Sequence, residues 1–202
     1  KAKLLVEQWR SLEFYLANET DATLVVSPTE KDILRGEKFS DKVHIVSNVH
    51  QLQDCNSNFI DRTGLMFIGG FNHPPNEDGI LWFVNSVLPL IKRKLPGIHL
   101  TIVGSNPSQE LKDLQSATIH VTGYVEDVSP YFENARVFVC PLRYGAGVKG
   151  KLGQSFSYGL PVVTTTVGAE GMGLSHGVNA LIADKAEDFA NNVIDLYTNS
   201  NT

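Results

Sequence analysis

The hydrophobic residues of this chain follow a regular two-part pattern that begins near residue 64. Short, wholly apolar runs alternate with segments whose apolar positions lie three or four residues apart. The runs predict strands at 65–68, 99–103, 119–121, 136–140 and 161–166, and the periodic segments predict helices at 76–95, 107–115, 127–135, 148–159 and 186–198. Such alternation is typical of βαβ units, and unbroken apolar strands are typical of a parallel sheet covered on both faces. The pattern predicts an open α/β fold, in which Pro89 kinks or splits the long helix.

The first 47 residues carry a separate set of elements. A helix over 3–18 is predicted by an apolar stripe spaced four, three and four residues apart, namely Leu5, Trp9, Leu12 and Leu16. β-Branched runs predict strands at 22–27 and 43–47, and Ser27, three residues before Glu30, predicts a capping box that starts the intervening helix. Residues 48–62 are rich in Asn, Gln and Asp and predict a linker.

Composition and charge narrow the possible functions. The 202 residues are 42% hydrophobic and carry 17 basic against 22 acidic side chains, for a formal net charge of −5. The apolar fraction argues against disorder, and the acidic balance argues against nucleic-acid binding, which needs clustered Lys and Arg. No run of about 18 apolar residues is present to span a membrane. Cys55 and Cys140 lie far apart in sequence, and Cys140 is typical of a buried thiol in a reducing compartment.

Glycines follow several of the predicted strands, at the edge of a parallel sheet where ligands bind. Gly69 and Gly70 follow the strand at 65–68 and allow the backbone to approach an anion at the start of the next helix. A tight turn without a ligand explains the same residues, and both interpretations stay open. The turn lacks the Gly-x-Gly-x-x-Gly pattern and the next strand ends in Val103 and Gly104 without an acidic residue, which disfavours a nicotinamide-dependent dehydrogenase.

Residues 140–152 hold the main local concentration of positive charge in this acidic chain. Three glycines open the predicted helix, and Arg143, Lys149 and Lys151 lie around them. Cations at the start of a helix oppose its dipole unless an anion lies between them, and free backbone N–H groups there bind phosphate. We therefore expect a phosphate or diphosphate site, with a solvated cationic loop as the alternative. The loop at 123–127 could also present backbone groups to a planar base.

Five stretches in a fixed order carry a resemblance to a known family. They are FIG at 67–69, LTIVG at 100–104, HVTGYV at 120–125, PLRYGAGVKGK at 141–151 and GLPVVTT at 159–165. Together they resemble the C-terminal, nucleotide-sugar-binding domain of retaining glycosyltransferases with the GT-B fold, in group 1, family four. The resemblance covers about residues 64–198, and residues 13–27 are similar to the end of that family's first domain. It implies an α/β fold with a Rossmann-like doubly wound parallel sheet.

The resemblance also implies a donor site for a nucleotide-diphosphate sugar, with no bound metal or other cofactor. Lys151 and Arg143 would stabilise charge on the leaving diphosphate while the sugar is transferred with retention of configuration. The base would lie against Tyr124 and Val125. Contacts to the diphosphate and the ribose would come from the two glycine-containing turns and the helix after the second, namely Gly69, Gly70, Gly145, Ala146, Gly147, Val148, Lys149 and Gln154.

The chain departs from the family pattern at three places. Many members carry two glutamates eight positions apart, for which this chain has Ala146 and Gln154. Because a neutral amide is a weaker acceptor for ribose hydroxyls than a carboxylate, we expect weaker donor binding rather than none. Glu170 is a candidate for the second carboxylate. Many members also have cations in the turn after the first strand, where this chain has neutral or weakly basic residues: Asn72, His73 and Asn76.

A domain organisation follows from the same resemblance. Residues 1–47 would be a remnant of the end of an N-terminal domain, 48–63 a linker, and 64–202 the nucleotide-sugar-binding domain. The acceptor site would lie on the missing part of the N-terminal domain. The chain would then be a truncated piece of a hexosyltransferase, cytoplasmic or peripheral to a membrane, that cannot transfer sugar alone. Two alternatives stay open: a non-catalytic nucleotide- or sugar-binding module, and a GT-B nucleotide-sugar 2-epimerase.

Overall fold

The computed structural model describes residues 2–35, 41–54 and 58–199, and the chain divides into two units, Lys1–Val49 and His50–Thr202. The first unit contains α1 (Ala2–Glu19), β1 (Thr23–Val25), α2 (Pro28–Arg35) and β2 (Val43–Ile45), with β1 and β2 paired in parallel. The predicted helix over 3–18 is α1, and its apolar stripe is exposed.

The predicted capping box starts α2. The Glu30 N–H donates to the Ser27 hydroxyl over 3.2 Å, and the Glu30 carboxylate accepts from the Val26 N–H over 2.9 Å. Two backbone donors at the helix start are satisfied in this way, although the second belongs to Val26 and not to Ser27 itself.

The second unit is built on a six-stranded sheet in which every strand pair is parallel. Its strands are β3 (Leu65–Ile68), β4 (Leu100–Val103), β5 (Ile119–Gly123), β6 (Val137–Cys140), β7 (Val162–Thr164) and β8 (Leu181–Ile182). Their order is β5-β4-β3-β6-β7-β8, so the chain adds strands on one side of β3 and then, from β6 onward, on the other side. This order is that of a Rossmann-like doubly wound sheet and confirms the predicted fold class.

Short helices connect the strands. In chain order they are a 3-10 turn (Phe59–Asp61), α3 (Pro74–Trp82), α4 (Leu88–Lys94), α5 (Gln109–Asp113), α6 (Ser129–Asn134), α7 (Gly150–Ser157), α8 (Thr166–Ala169) and α9 (Ala186–Thr198). A π-helical turn (Phe83–Val87) separates α3 from α4, because Pro89 cannot donate a helical hydrogen bond, and the predicted split is confirmed. The sequence pattern missed the 3-10 turn, α8 and β8, which are too short to show a period.

Both faces of the sheet are covered, as the unbroken apolar strands predicted. Adjacent strand residues point to opposite faces, so Phe67 belongs to one core cluster and Met66 to the other. On the Phe67 face, Phe189 of α9 packs edge-on against Phe83, with ring centroids 5.8 Å apart. On the Met66 face, Leu152 of α7 is fully buried. The central strands β3 and β6 are therefore enclosed on both sides, and their carboxyl ends are held in a fixed relation.

Cys140, the last residue of β6, is fully buried with a free thiol as predicted, and burial raises the pKa of that thiol. Cys55 lies outside the described residues. Among the helices of the described residues, none combines the length and the apolar character that a membrane crossing requires.

Candidate functional site

The carboxyl ends of β3 and β6 lie side by side at the centre of the sheet, where the direction of strand addition reverses. In sheets of this kind the crevice at the reversal point is the usual ligand site. The turn at Gly69 and Gly70 leaves β3, and the segment at 141–149 leaves β6. The two segments that the sequence singled out for anion binding therefore meet at this switch point.

The turn after β3 is packed so closely that a side chain at its first position would displace its neighbours. A Cβ atom on Gly69 would lie 2.8 Å from the side-chain amide of Asn76 and 2.9 Å from the ammonium of Lys151. The Gly69 carbonyl is itself packed against Gly104, where a Cβ would lie 1.8 Å from that oxygen. Gly69 thus leaves the space in which Asn76 and Lys151 meet.

Lys151 lies in the first turn of α7, and its ammonium reaches the residues around β3. The ammonium donates to Oδ1 of Asn76 over 2.5 Å and lies 4.5 Å from the centroid of the Phe67 ring. No carboxylate of the residues that the structure describes pairs with it. Burial, reinforced by the positive charge of Lys149, lowers the pKa of Lys151 to about 8. At pH 7 the side chain is therefore a poorly hydrated cation that keeps N–H donors for a ligand.

Asn76, in the first turn of α3, connects Lys151 to the glycine turn. Its side chain is buried, and Nδ2 donates to the carbonyl oxygen of Gly70 over 2.8 Å while Oδ1 accepts from Lys151. Sequence reasoning noted Asn76 only as a neutral residue in a turn without cations. Its place at a helix start, directly after a glycine turn, is the one signal that could have marked it.

Lys149 immediately precedes α7 and is buried. Its ammonium donates to the carbonyl of Gly147 and lies 3.7 Å from the carboxylate of Glu170. The structure therefore brings Glu170 to the glycine-rich segment, where it is the ionic partner of Lys149. The rest of this segment is exposed or half-buried: Gly145, Ala146, Gly147 and Val148.

Arg143, predicted as a second electrostatic group, is paired with Asp78 of α3. Its Nε donates to one carboxylate oxygen over 2.9 Å, and a terminal nitrogen donates to the other. Hydrogen bonding to Asp78 raises the pKa of Arg143. The guanidinium is exposed on one side and bound to α3 on the other, so in this structure it neutralises a carboxylate of the protein.

The residues predicted to contact the base and the ribose are accessible. Tyr124 follows β5 and is 77% exposed, while Val125 packs against the core cluster that contains Met66. Gln154 lies on α7, one turn after Lys151, and is half-buried. Within the part of the chain that the structure describes, its side-chain amide has no hydrogen-bond partner, so both of its polar ends are available to a ligand.

These groups lie together at the switch point and offer the chemistry that a phosphate group requires. They combine the backbone N–H groups at the start of α7, accessible glycine backbone after β6, the buried Lys149 and the half-buried Lys151, which has no ionic partner among the described residues. Helix starts and lysines at the carboxyl edge of a parallel sheet bind phosphate in many proteins. The chain therefore contains a Rossmann-like domain with a cluster of cations and backbone N–H groups at its switch point.

Sequence comparison gives the family. The model for glycosyl transferases group 1 matches residues 62–199, and the chain belongs to that family. A curated relative from Klebsiella pneumoniae, an uncharacterized 44.6 kDa protein in the cps region, is 30% identical over 157 residues, which are 73% of this chain and 38% of that protein.

Solved glycosyltransferase structures share the fold. A variant of S. aureus TarM in complex with Fondaparinux, alpha-GlcNAc-glycerol and UDP has a TM-score of 0.77 at 15% identity, over 94% of this chain and 39% of that one. The pneumococcal O-GlcNAc transferase GtfA, in complex with UDP and GlcNAc, has a TM-score of 0.74 at 16% identity, over 92% of this chain and 40% of that one. The likeness identifies the fold as the Rossmann-like type of GT-B glycosyltransferases, and this chain spans less than half the length of each relative.

Proposed function

We propose that this chain binds the nucleoside diphosphate of a nucleotide sugar and is the donor-binding, C-terminal half of a retaining glycosyltransferase of family four. The supporting observation is the ammonium of Lys151, which is desolvated and has no ionic partner within the described residues. A buried cation without a counter-ion is unfavourable unless a ligand supplies the negative charge. Membership of glycosyl transferases group 1 supports a nucleotide sugar as the source of that charge.

Lys151 is the principal electrostatic group in the proposed reaction. As the bond between sugar and diphosphate breaks, negative charge accumulates on the departing phosphate oxygens and positive charge on the sugar. The Lys151 ammonium donates a hydrogen bond to a phosphate oxygen, and the N–H groups of segment 145–148 and of the first turn of α7 add further donors. Arg143 contributes only after its guanidinium leaves Asp78.

The nucleoside is placed along α7 and the loop after β5. The exposed ring of Tyr124 and the backbone of Val125 offer a surface to the base. In this proposal the side chain of Gln154 contacts the ribose hydroxyls. Glu170 is the candidate for the carboxylate that α7 lacks. A neutral amide at position 154 gives weaker hydrogen bonds than a carboxylate, so we expect weak donor affinity.

The rest of the proposed enzyme supplies the acceptor site. The unit Lys1–Val49 exposes the apolar stripe of α1 and an apolar groove of about 490 Å³ lined by α1, β1 and α2. A large exposed apolar patch is typical of a surface that packs against more protein. We therefore propose that an N-terminal domain covers this face and carries the acceptor, with residues 1–47 as its end and 48–63 as the linker. The 202-residue chain then binds the donor without transferring a hexose.

The cellular location follows from the same proposal. We place the whole enzyme in the cytoplasm or at the surface of a membrane, where nucleotide sugars and their acceptors meet. Fractionation of cells that express the full-length protein tests this, with recovery in the soluble or the peripheral membrane fraction as the expected result.

Calorimetric titration of the 202-residue chain with UDP, GDP, ADP and their sugars, with and without EDTA, tests the proposed donor site. We expect one nucleoside diphosphate to bind, and Lys151→Met to weaken binding at least about tenfold, the value of a charge-assisted hydrogen bond. Lys94→Met is the control, since Lys94 is exposed at the end of α4, near the amino edge of the sheet. Binding to none of these nucleotides would contradict the proposal.

A non-catalytic binding module is the second candidate, and the neutral Gln154 is the observation that favours it. The two functions differ in turnover and not in donor binding. The full-length protein, supplied with the nucleotide sugar that binds best, hydrolyses it or transfers its sugar under the first proposal and leaves it intact under the second.

A further inference from the structure

The ammonium of Lys151 is held by a neutral side chain. Its hydrogen-bond acceptor among the described residues is Oδ1 of Asn76, and its other close contact is the face of Phe67. We infer that Asn76 is a positioning residue that directs the Lys151 ammonium into the switch point and leaves its charge uncompensated for a diphosphate. Only the identity of this ligand rests on the proposed function.

Both ends of the Asn76 side chain are engaged, which fixes the orientation of the amide. An amide has two donors on nitrogen and an acceptor on oxygen. The carbonyl of Gly70 can only accept, so Nδ2 must face it, and Oδ1 is left facing Lys151. The Asn76 backbone N–H also donates to the backbone carbonyl oxygen of His73 over 3.0 Å, which anchors the start of α3. The planar amide of Asn76 thus links the Lys151 ammonium to the backbone of the turn after β3 and fixes its position.

The surroundings of Lys151 leave its charge unbalanced. From the segment before α7 it faces Lys149, whose ionic partner is Glu170. From β6 it faces the Cys140 thiol, which stays protonated at neutral pH because burial raises its pKa. From α3 it faces Asn76, which carries no charge. An aspartate at position 76 would form an ion pair with Lys151 and would repel a phosphate, whereas asparagine orients the cation without neutralising it.

A purely structural role for Asn76 would give different results. If the residue only braced the turn, its substitution would lower the melting temperature and leave the protonation of Lys151 as it was. If it positions the ammonium, the pKa of Lys151 changes in a direction set by the charge of the substituent. The titration of Lys151 is therefore the decisive readout, and it needs no ligand.

The first experiment follows the Cε resonance of Lys151 by NMR in the 202-residue chain labelled with ¹³C-lysine, assigned by its loss in Lys151→Met. We expect the wild-type resonance to titrate near pH 8, because burial lowers the pKa of Lys151 to about 8. Asn76→Asp raises the pKa by at least about 1, because a carboxylate beside an ammonium favours the charged form, and Asn76→Ala lowers it. Asn191→Asp, the same change at an exposed position of α9, moves it by less than about 0.3, since solvent screens the added charge. An unchanged pKa in both folded Asn76 variants would overturn the inference.

The second experiment measures affinity for inorganic pyrophosphate and for UDP at pH 7. We expect Asn76→Asp to weaken both at least about tenfold and Asn191→Asp less than about twofold. Wild-type chain that binds neither compound would defeat the proposed function, while the lysine titration would still decide the role of Asn76. Wild-type chain that binds, together with Asn76→Asp chain that binds equally well, would overturn the inference and leave the proposed function standing.

Discussion

The guanidinium of Arg143 and the carboxylate of Asp78 form a two-point ion pair that ties the segment after β6 to α3. Lys151, in the helix that follows the same segment, has the neutral Asn76 as its partner. The two cations that the sequence predicted as electrostatic groups therefore differ in whether a carboxylate of the protein pairs with them. The protein neutralises one of them and leaves the other charged and desolvated.

This difference predicts unequal effects on pyrophosphate affinity. Arg143→Ala lowers pyrophosphate affinity less than about threefold, because Asp78 already neutralises this guanidinium, whereas Lys151→Met lowers it at least about tenfold. Titration calorimetry at pH 7 measures both. Asp78→Asn, which releases the guanidinium, should raise pyrophosphate affinity about twofold or more. No gain in that variant would mean that Arg143 does not reach the anion even when Asp78 no longer holds it.

The desolvated charge of Lys151 should lower the stability of the fold while it strengthens anion binding. Its pKa is about 8 in the folded chain against an ordinary value of 10.5, so folding is penalised while the unfolded chain holds the proton more tightly. That penalty is complete below pH 8 and disappears as the pH rises to 10.5. Lys151→Met removes it, and we expect a gain of about 2 kcal/mol in unfolding free energy at pH 7 after the lost hydrogen bond to Asn76 is subtracted.

Urea unfolding at pH 7 and pH 9.5 measures this gain. The advantage of Lys151→Met over wild type should shrink by about half or more between the two, because wild type alone recovers stability as Lys151 loses its proton. Lys94→Met, which removes an exposed lysine from α4, should show no such dependence on pH. A constant advantage would mean that burial does not lower the pKa of Lys151.

Substitution of Gln154 should increase donor affinity in a way that distinguishes a contact to the ribose from a contact to the phosphates. Gln154→Glu should tighten UDP binding about threefold to tenfold, since a carboxylate accepts more strongly from ribose hydroxyls than an amide does. Pyrophosphate, which has no ribose, should bind no more tightly to the variant, and its affinity is the internal control. Equal changes in affinity for the two ligands would mean that the added charge causes the effect and that residue 154 does not contact the ribose.

Glu170 is tested by the same pair of ligands. Under the hypothesis that it supplies the missing ribose carboxylate, Glu170→Gln weakens UDP binding at least about threefold and leaves pyrophosphate binding unchanged. The structure supplies a competing outcome, because Glu170 lies 3.7 Å from Lys149. If its role is to neutralise that lysine, the same substitution tightens pyrophosphate binding instead, and the ribose hypothesis is wrong.

The sheet and its central glycines could be predicted because their signals are local. Unbroken apolar runs such as 65–68 require burial on both faces, and Pro89 interrupts a helix whatever surrounds it. The cationic segment before α7 is visible for the same reason, since its glycines and lysines are neighbours in sequence. Three short elements, the 3-10 turn, α8 and β8, were missed because three, four and two residues are too few to show a period.

The partners of the charged residues could not be predicted, because they depend on packing between distant segments. Asn76 and Lys151 are 75 positions apart, and Asp78 and Arg143 are 65 apart. Nothing in the sequence near Arg143 indicates that its charge is already paired, and nothing near Asn76 indicates that its amide faces a lysine. Both facts follow only once α3 is packed beside the segment that leaves β6.

Gly69 provides the last prediction, because it tests whether the space between Asn76 and Lys151 is needed. A Cβ at this position would lie 2.8 Å from one side chain and 2.9 Å from the other, so Gly69→Ala must displace both. We expect it to lower the free energy of unfolding by about 1–3 kcal/mol, as overpacking does, and to weaken pyrophosphate binding at least about fivefold. Gly97→Ala is the matched control, since an added Cβ there meets no atom within 4 Å, and it should be neutral or stabilising by up to about 1 kcal/mol. Thermal unfolding and calorimetry measure the two quantities, and a Gly69→Ala chain that matches Gly97→Ala in both would show that the ammonium of Lys151 tolerates a different position.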